Sequence, residues 1–387
     1  MDRNTLIAFL LISIILICTP YYLELVSPEN GTSQPEPQTF SKDEFEPPVE
    51  DSLANTTTKT TFNSESSLRT TSTHKEKLTK VETPLYRSTI SSKGGGSIIS
   101  FETYEYLTGD SLYVNLVKSE NPLNLTPEVK DLDGNDVDLY STWVLTSPEP
   151  SYIIKEPTEL TYRLELFKDR FVYKKITLYP NSYQINIELD LTDIKSEVFR
   201  DVWFGWHGGL PTTEKSQDED LSYFKAHLYQ GGELEELKLN KGGQDQKTYN
   251  GSVDWVAVRT KYFTAALMSD EPVKVRSGKL WGNHMNQETY NASLCFDVTD
   301  VASFVLYLGP LEYNRIKNLS VNLESIMDFG WMFIRPISKG VLVVLKWLNQ
   351  YISNYGVVLI IFSFLVKALV YPLTKKSYQS TTAMQSV

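Results

Sequence analysis

The sequence predicts a membrane protein with a large all-β exported domain. An antiparallel β-sandwich is held between two transmembrane helices, and an interfacial amphipathic helix precedes the second. Three observations carry this reading. Short segments that alternate apolar and polar residues fill the middle of the 387-residue chain, the period-2 signature of half-buried strands. Aromatic residues make up 12% of the chain, with 23 Tyr and 17 Phe, which favours pleated sheet over a helical bundle. The long apolar runs, by contrast, sit at the two ends. With 37 Lys and Arg against 48 Asp and Glu, and a net charge of -11, nothing concentrates the basic side chains that a nucleic-acid surface needs. The two cysteines, Cys18 and Cys295, can build neither a disulfide framework nor a zinc set with CxxC spacing.

In chain order, residues 1–4 read as a cytoplasmic N-terminus and residues 5–25, TLIAFLLISIILICTPYYLEL, as the first span. At ~1.5 Å per residue this run crosses most of a hydrocarbon core of ~30 Å. A cleaved signal peptide is the competing reading. The flank Thr19-Pro20-Tyr21-Tyr22 offers no A-x-A site, and Ile17 stands before Cys18 where a lipoprotein site needs a small residue, so an uncleaved signal anchor is favoured. Residues 26–80 are rich in Ser, Thr, Pro and Glu, lack apolar periodicity, and read as a disordered tether. Asn30, Asn55, Asn124, Asn250, Asn291 and Asn318 match the glycosylation pattern, a match that chance produces often in a chain this rich in Ser and Thr.

Residues 81–321 carry the strands. FVYKKITLYP (Phe171–Pro180) and SYQINIELDLTD (Ser182–Asp193) alternate apolar and polar residues with Tyr, Ile and Val over-used, and Pro180-Asn181 supplies the turn between them. TYRLELFKD (Thr161–Asp169), SVDWVAVRTKYFTAALM (Ser252–Met268) and SLCFDVTDVASFVLYLGP (Ser293–Pro310) continue the pattern. More than a dozen strands without intervening amphipathic helices predict an antiparallel sandwich and disfavour parallel α/β. DLDGNDVD (Asp131–Asp138) could be imagined as a calcium loop. Its glycine comes at the fourth position instead of the sixth, and Asp133-Gly134-Asn135 reads better as a tight turn. His74, His207, His227 and His284 show no metal spacing and are expected at surface or loop positions. Lys93–Gly96 lacks the ending of a phosphate loop and reads as a turn. No catalysis and no cofactor or metal are expected.

Residues 322–353 hold the interfacial helix. Within Trp331–Tyr351, Ile337, Val341, Val344, Leu345 and Leu348 share one helical face, Pro336 suits the first turn, and Trp331 and Trp347 suit headgroup depth. A helix packed on the soluble domain is the plainer alternative. Residues 354–374 form the second span: Tyr355–Leu373 contains one charge, Lys367, and Lys375 and Lys376 follow it. A buried core helix is the alternative, but Tyr355 and Tyr371 resemble interfacial anchors. Lys375, Lys376 and Arg3 place the outer end of each span in the cytoplasm, with residues 375–387 the start of a cytoplasmic region.

MDFGWMFIRPISKGVLVVLKWLNQYISNYGVVLIIFSFLVKALVYPLTKKSYQSTTAMQ (Met327–Gln385) resembles the first membrane segment of the YidC/Oxa family of membrane protein insertases. That family carries D-[YF]-G-W, a membrane-surface helix, N-[WY]-G, a span with one basic residue, and Y-P-L-T-K. VDWVAVRTKYFTAALM (Val253–Met268), LYLGP (Leu306–Pro310) and STISSKGGGSI (Ser88–Ile98) are similar to landmarks of the periplasmic domain in Gram-negative members. The resemblance implies a periplasmic β-supersandwich in the bacterial inner membrane and a nucleotide-free insertase with no cofactor. It also implies a hydrated groove that receives polar parts of nascent membrane proteins, with or without the Sec translocon, and the lipid bilayer, Sec components and the ribosome as partners. Lys367 is then the groove's basic residue. The family usually has Arg there, whose planar fork a lysine lacks. The family continues with a cytoplasmic hairpin and further spans, so the chain is expected to be the N-terminal portion of such an insertase. The alternative is a membrane-anchored periplasmic domain that binds carbohydrate or a membrane protein partner.

Overall fold

The computed structural model describes residues 74–385 apart from 119–123, 150, 168, 241–242, 285–287, 328–334 and 353. The first expected span (5–25), Cys18 and the tether up to residue 73 lie outside these residues. The strands run β1 (Leu78–Glu82), β2 (Tyr86–Ser91), β3 (Ser97–Leu107), β4 (Tyr113–Asn115), β5 (Val144–Leu145) and β6 (Ser151–Ile153). They continue with β7 (Thr158–Phe167), β8 (Arg170–Leu178), β9 (Gln184–Asp190), β10 (Asp201–Trp206), β11 (Lys225–Gln230) and β12 (Glu233–Leu237). The last six are β13 (Gln244–Asn250), β14 (Trp255–Arg259), β15 (Phe263–Ser269), β16 (Val275–His284), β17 (Glu288–Asp297) and β18 (Ala302–Pro310). The helices are α1 (Gln217–Leu221), α2 (Tyr313–Lys317), α3 (Arg335–Tyr351) and α4 (Tyr355–Gln385).

Three sheets are formed. A nine-stranded sheet has the order β12-β11-β14-β15-β18-β9-β8-β7-β5, a five-stranded sheet β4-β3-β2-β1-β6, and a four-stranded sheet β10-β17-β16-β13. The alternation in β8 and β9 does what its period demands. Val172, Ile176, Ile185 and Ile187 are buried while their neighbours are half-exposed, and the reversal at Pro180-Asn181 pairs Leu178 with Ile185. The nine-stranded sheet meets the five-stranded one through Tyr86, Phe101 and Tyr183, with Tyr86 stacked on Phe101 at 4.2 Å. It meets the four-stranded sheet through Phe304, which contacts Phe204 at 5.2 Å and Phe296 at 5.6 Å.

Several details differ from the sequence reading. The first strand begins at Leu78, inside the stretch read as tether up to residue 80. Its edge is taken by β6 in parallel pairing, Lys80 opposite Ser151, so the sandwich is not wholly antiparallel. His207, just after β10, and His227, inside β11, are buried, whereas His74 and His284, the last residue of β16, are exposed. Asn124 is no surface sequon: its amide accepts from the Ile98 N–H and donates to the Ile98 carbonyl, at 2.9 and 2.7 Å. Asn291 is buried too.

Two turns follow their residue chemistry. Asp131 accepts backbone N–H bonds from Asp133 (3.0 Å) and Asn135 (2.8 Å), with Gly134 at φ +86°. This carboxylate is engaged in shaping a tight reversal, as Asx chemistry favours. Gly94, Gly95 and Gly96 all have positive φ. A Cβ on Gly95 would lie 2.8 Å from the Trp143 ring, and one on Gly96 2.6 Å from Ile176; only glycine permits both the backbone region and the approach.

Candidate functional site

The β-domain leads through α2 and a 3-10 turn at Leu323–Ile326 toward α3. Arg315 of α2 bonds Glu105 at 2.8 Å and Glu312 at 2.7 Å and lies 5.3 Å over the Tyr183 ring. Tyr106 donates to Glu312. Burial pushes the Glu312 carboxyl up, but Tyr106 and Arg315 outweigh it and, with Lys346 of α3 helping, hold it below the usual carboxylate range. The network therefore ties β3, α2 and the field of α3 together.

α3 carries the expected apolar positions but covers few of them. Leu348 is buried, whereas Ile337 is 65% and Trp347 54% exposed. Trp331 falls outside the described residues. α3 ends at Tyr351 and α4 begins at Tyr355. Asn354 caps the second helix, its Oδ1 accepting from Gly356 N–H (2.9 Å) and Val357 N–H (3.4 Å), so two otherwise orphaned donors are satisfied.

In α4, Tyr355–Pro372 is long and apolar enough to cross a membrane, and little of it is buried. Ile360, Phe364, Leu365 and Leu369 are exposed at 49% or more, a surface that calls for lipid or apolar partners. Lys367 is exposed in this stretch. At ~100° per residue, Ser363, Lys367 and Tyr371 fall at i, i+4 and i+8 and form a narrow polar stripe, while Leu365 and Leu369 point away from it. Pro372 lies inside the helix and removes one backbone donor one turn after Ala368. The sequence of α4 contains no carboxylate, histidine or cysteine to accompany Lys367.

His207 and Cys295 sit in structural surroundings. His207 bonds Ser293 at 2.8 Å, and its burial pushes the imidazole pKa down. Burial pushes the Cys295 thiol up to about 11, which makes it unreactive near neutrality. A group that sequence reasoning missed is Lys174 of β8. It is fully buried, and its amine donates to the carbonyls of Gly94 (3.4 Å) and Leu125. Burial pushes it down to about 7.

A β-sandwich followed by an exposed apolar helical stretch, Tyr355–Pro372, with one cation describes a membrane-attached protein with a folded domain outside the bilayer. Residues 78–340 match the YidC periplasmic domain, and the chain belongs to the YidC family of membrane protein insertases. It is 32% identical to the membrane protein insertase YidC of Prosthecochloris aestuarii, covering 100% of this chain and 68% of that one. It is also 32% identical to that of Pelodictyon phaeoclathratiforme, covering 100% and 67%. The chain thus spans about two thirds of the length of these relatives. Membership assigns it to a non-enzymatic family of the inner membrane, with its β-domain on the periplasmic side. Among solved structures, the Slr1438 protein from Synechocystis shares 11% identity over 61% of this chain and 96% of its own, with a TM-score of 0.38, too remote to carry an argument.

Proposed function

We propose that the chain assists insertion and folding of nascent membrane proteins, with α4 forming one wall of a hydrated groove at Lys367. The observation that carries the reading is the lone ammonium on a polar stripe within the otherwise apolar stretch Tyr355–Pro372 of α4. A lysine near the centre of a span costs ~2.5–3.5 kcal/mol in lipid, so it belongs against water or polar partners and marks a functional site. Lys367 stands twelve residues after Tyr355, roughly 18 Å along the axis at ~1.5 Å per residue. With Lys375 and Lys376 in the cytoplasm it lies in the cytoplasmic half of the bilayer. There its field draws acidic parts of a substrate into the groove while the apolar segment passes to lipid. Asn354 and the start of α4 then lie at the outer surface, and α3 lies in the periplasmic interface. Residues 5–25 supply the first span, with a cytoplasmic N-terminus. Substrates arrive from the ribosome, alone or together with Sec components.

The experiment is rescue of insertase-depleted cells by this chain joined to the final third of the Prosthecochloris aestuarii relative. The fusion should restore growth and insertion of a small coat-type substrate. Lys367→Ala should reduce insertion several-fold, and Lys367→Arg should retain it because the charge persists. Equal insertion by wild type and Lys367→Ala would contradict the proposed role.

A further inference from the structure

One end of the β-domain gathers exposed apolar and aromatic side chains. The hairpin of β3 and β4 leaves Leu107 57% and Leu112 67% exposed, with Tyr113 exposed beside them. Leu107 and Tyr113 are direct cross-strand partners and so share a face. The turn between them is closed by three hydrogen bonds: Thr108 N–H to the Leu112 carbonyl (2.8 Å), Ser111 N–H to the Thr108 carbonyl (2.9 Å) and Leu112 N–H to the Thr108 hydroxyl (3.3 Å). Both leucines are therefore held out on a formed turn. A Cβ on Gly109 would lie 3.9 Å from the Lys215 Cβ, so the turn stands beside the segment that enters α1. Beyond α1, Tyr223 and Tyr262 are exposed, and the Lys261 ammonium lies over both rings at 5.5 and 5.2 Å.

This is also the end at which the chain leaves for the membrane. Tyr106, next to Leu107, packs edge-on against Phe263 at 5.5 Å and donates to Glu312, the residue before α2. The Leu311 N–H bonds the Tyr262 carbonyl at 2.7 Å, and Lys346 of α3 lies close enough for its charge to act on Glu312. The hairpin, the Tyr223–Tyr262 pair and α3 thus border the same end. The opposite end lies along β15, which runs from Phe263, paired with Pro310, to Ser269, paired with Phe304, roughly 20 Å away at ~3.4 Å per residue. Val273, 86% exposed, follows that far end. Leucines and tyrosines held out together mark a contact surface, and tyrosines suit the headgroup layer, where one edge of the ring is wet. Asp110, exposed in the turn, sets the depth: a carboxylate is costly in hydrocarbon, so the hairpin rests among headgroups without crossing them. Lys261 is paired with Glu219 at 2.6 Å, so attraction to acidic lipid is not what drives the contact.

We propose that this end of the β-domain docks on the lipid surface of the periplasmic leaflet, with Leu107 and Leu112 reaching into the headgroup layer and Tyr113, Tyr223 and Tyr262 lying along it. The contact rests on the reading of α3 as an interfacial helix, because α3 brings the bilayer to this end of the sandwich. It gives the large domain a second hold on the membrane besides the chain that leads into α3, and it fixes the tilt of the sandwich above the span. Apolar and aromatic side chains supply the attraction, so a zwitterionic bilayer is a sufficient partner.

The test uses the full chain reconstituted in phosphatidylcholine vesicles that contain a lipid with a nitroxide on its headgroup. Cys18→Ser removes one thiol, and Cys295 stays because it is buried. Leu107→Cys, Leu112→Cys, Val273→Cys and Ile337→Cys are labelled one at a time with a small fluorophore, and quenching by the nitroxide is read at each position. Quenching at 107 and 112 should exceed that at 273, on the far end, at least threefold. Adding Leu112→Asp should cut the quenching at 107 at least twofold, while thermal melting shows the fold unchanged. Quenching at 107 and 112 no greater than at 273, or a signal at 107 indifferent to Leu112→Asp, would overturn the proposal. Strong quenching at 337, on α3, beside none at 107 and 112 removes this contact and leaves the interfacial reading of α3 standing, so the two fail separately.

Discussion

Lys174 shows how one buried amine can join a fold. It projects from β8 to the Gly94 carbonyl, in the turn between β2 and β3, and to the Leu125 carbonyl, whose N–H bonds Gly205 of β10. It therefore links the nine-stranded sheet to the seam between the two smaller ones. A neutral amine has two N–H donors, which matches two carbonyls. Its pKa is lowered from 10.5 to about 7 by burial, so between those values the unfolded chain binds the extra proton and stability rises with pH, by up to ~1.4 kcal/mol per unit. Lys174→Met should cost about 2 kcal/mol at pH 9, where it leaves buried carbonyls unpaired. The penalty should shrink or vanish at pH 6, where the wild type must bury a charge; paired thermal melts of both proteins at the two pH values check this. Gly95→Ala, with φ +69° and the Trp143 ring 2.8 Å from the new Cβ, should cost about 2 kcal/mol at any pH in the same assay. The parity of Val172, Lys174 and Ile176 already points Lys174 inward, but residue type argued outward. Only the distant carbonyls, 80 and 49 residues away, resolve that conflict. His227 was illegible for the same reason: nothing near it in the chain reports that the Leu323–Ile326 turn comes to lie against β11.

At the scale of elements, local chemistry was readable wherever it was local. The Pro180-Asn181 reversal, the tight turn around Gly134, the glycine turn after Lys93 and the helix after Pro336 all follow from residues a few positions apart. The parallel edge pair of β1 and β6 does not, because Lys80 and Ser151 are far apart in sequence and both strands are short. α4 carries the element-scale prediction. If its polar stripe faces a hydrated groove, single cysteines at positions 363, 367 and 371 should react with a small water-soluble maleimide in membranes. Cysteines at 365 and 369, on the opposite face, should react at least several-fold more slowly. Equal rates around the helix would remove the case for a groove-facing side.

At the scale of the whole molecule, the acidic composition and the apolar ends describe two different environments. The charged and aromatic residues build a sandwich of three sheets, and the network of Glu105, Glu312 and Arg315 connects it to the segment before α3. The sandwich brings no catalytic constellation to the surface among the described residues, so the account rests insertion on the span and not on the large domain. Its central claim is that a nascent chain passes along the Lys367 face of α4. The most direct measurement is site-specific photo-crosslinking from α4 to a ribosome-bound membrane protein substrate, using the fusion that completes the relative's length. A photoreactive residue at position 363 or 371 should crosslink to the substrate, and one at 365 or 369 should give little or none. Crosslinks absent from 363 and 371, or equally strong from all four positions, would contradict the account.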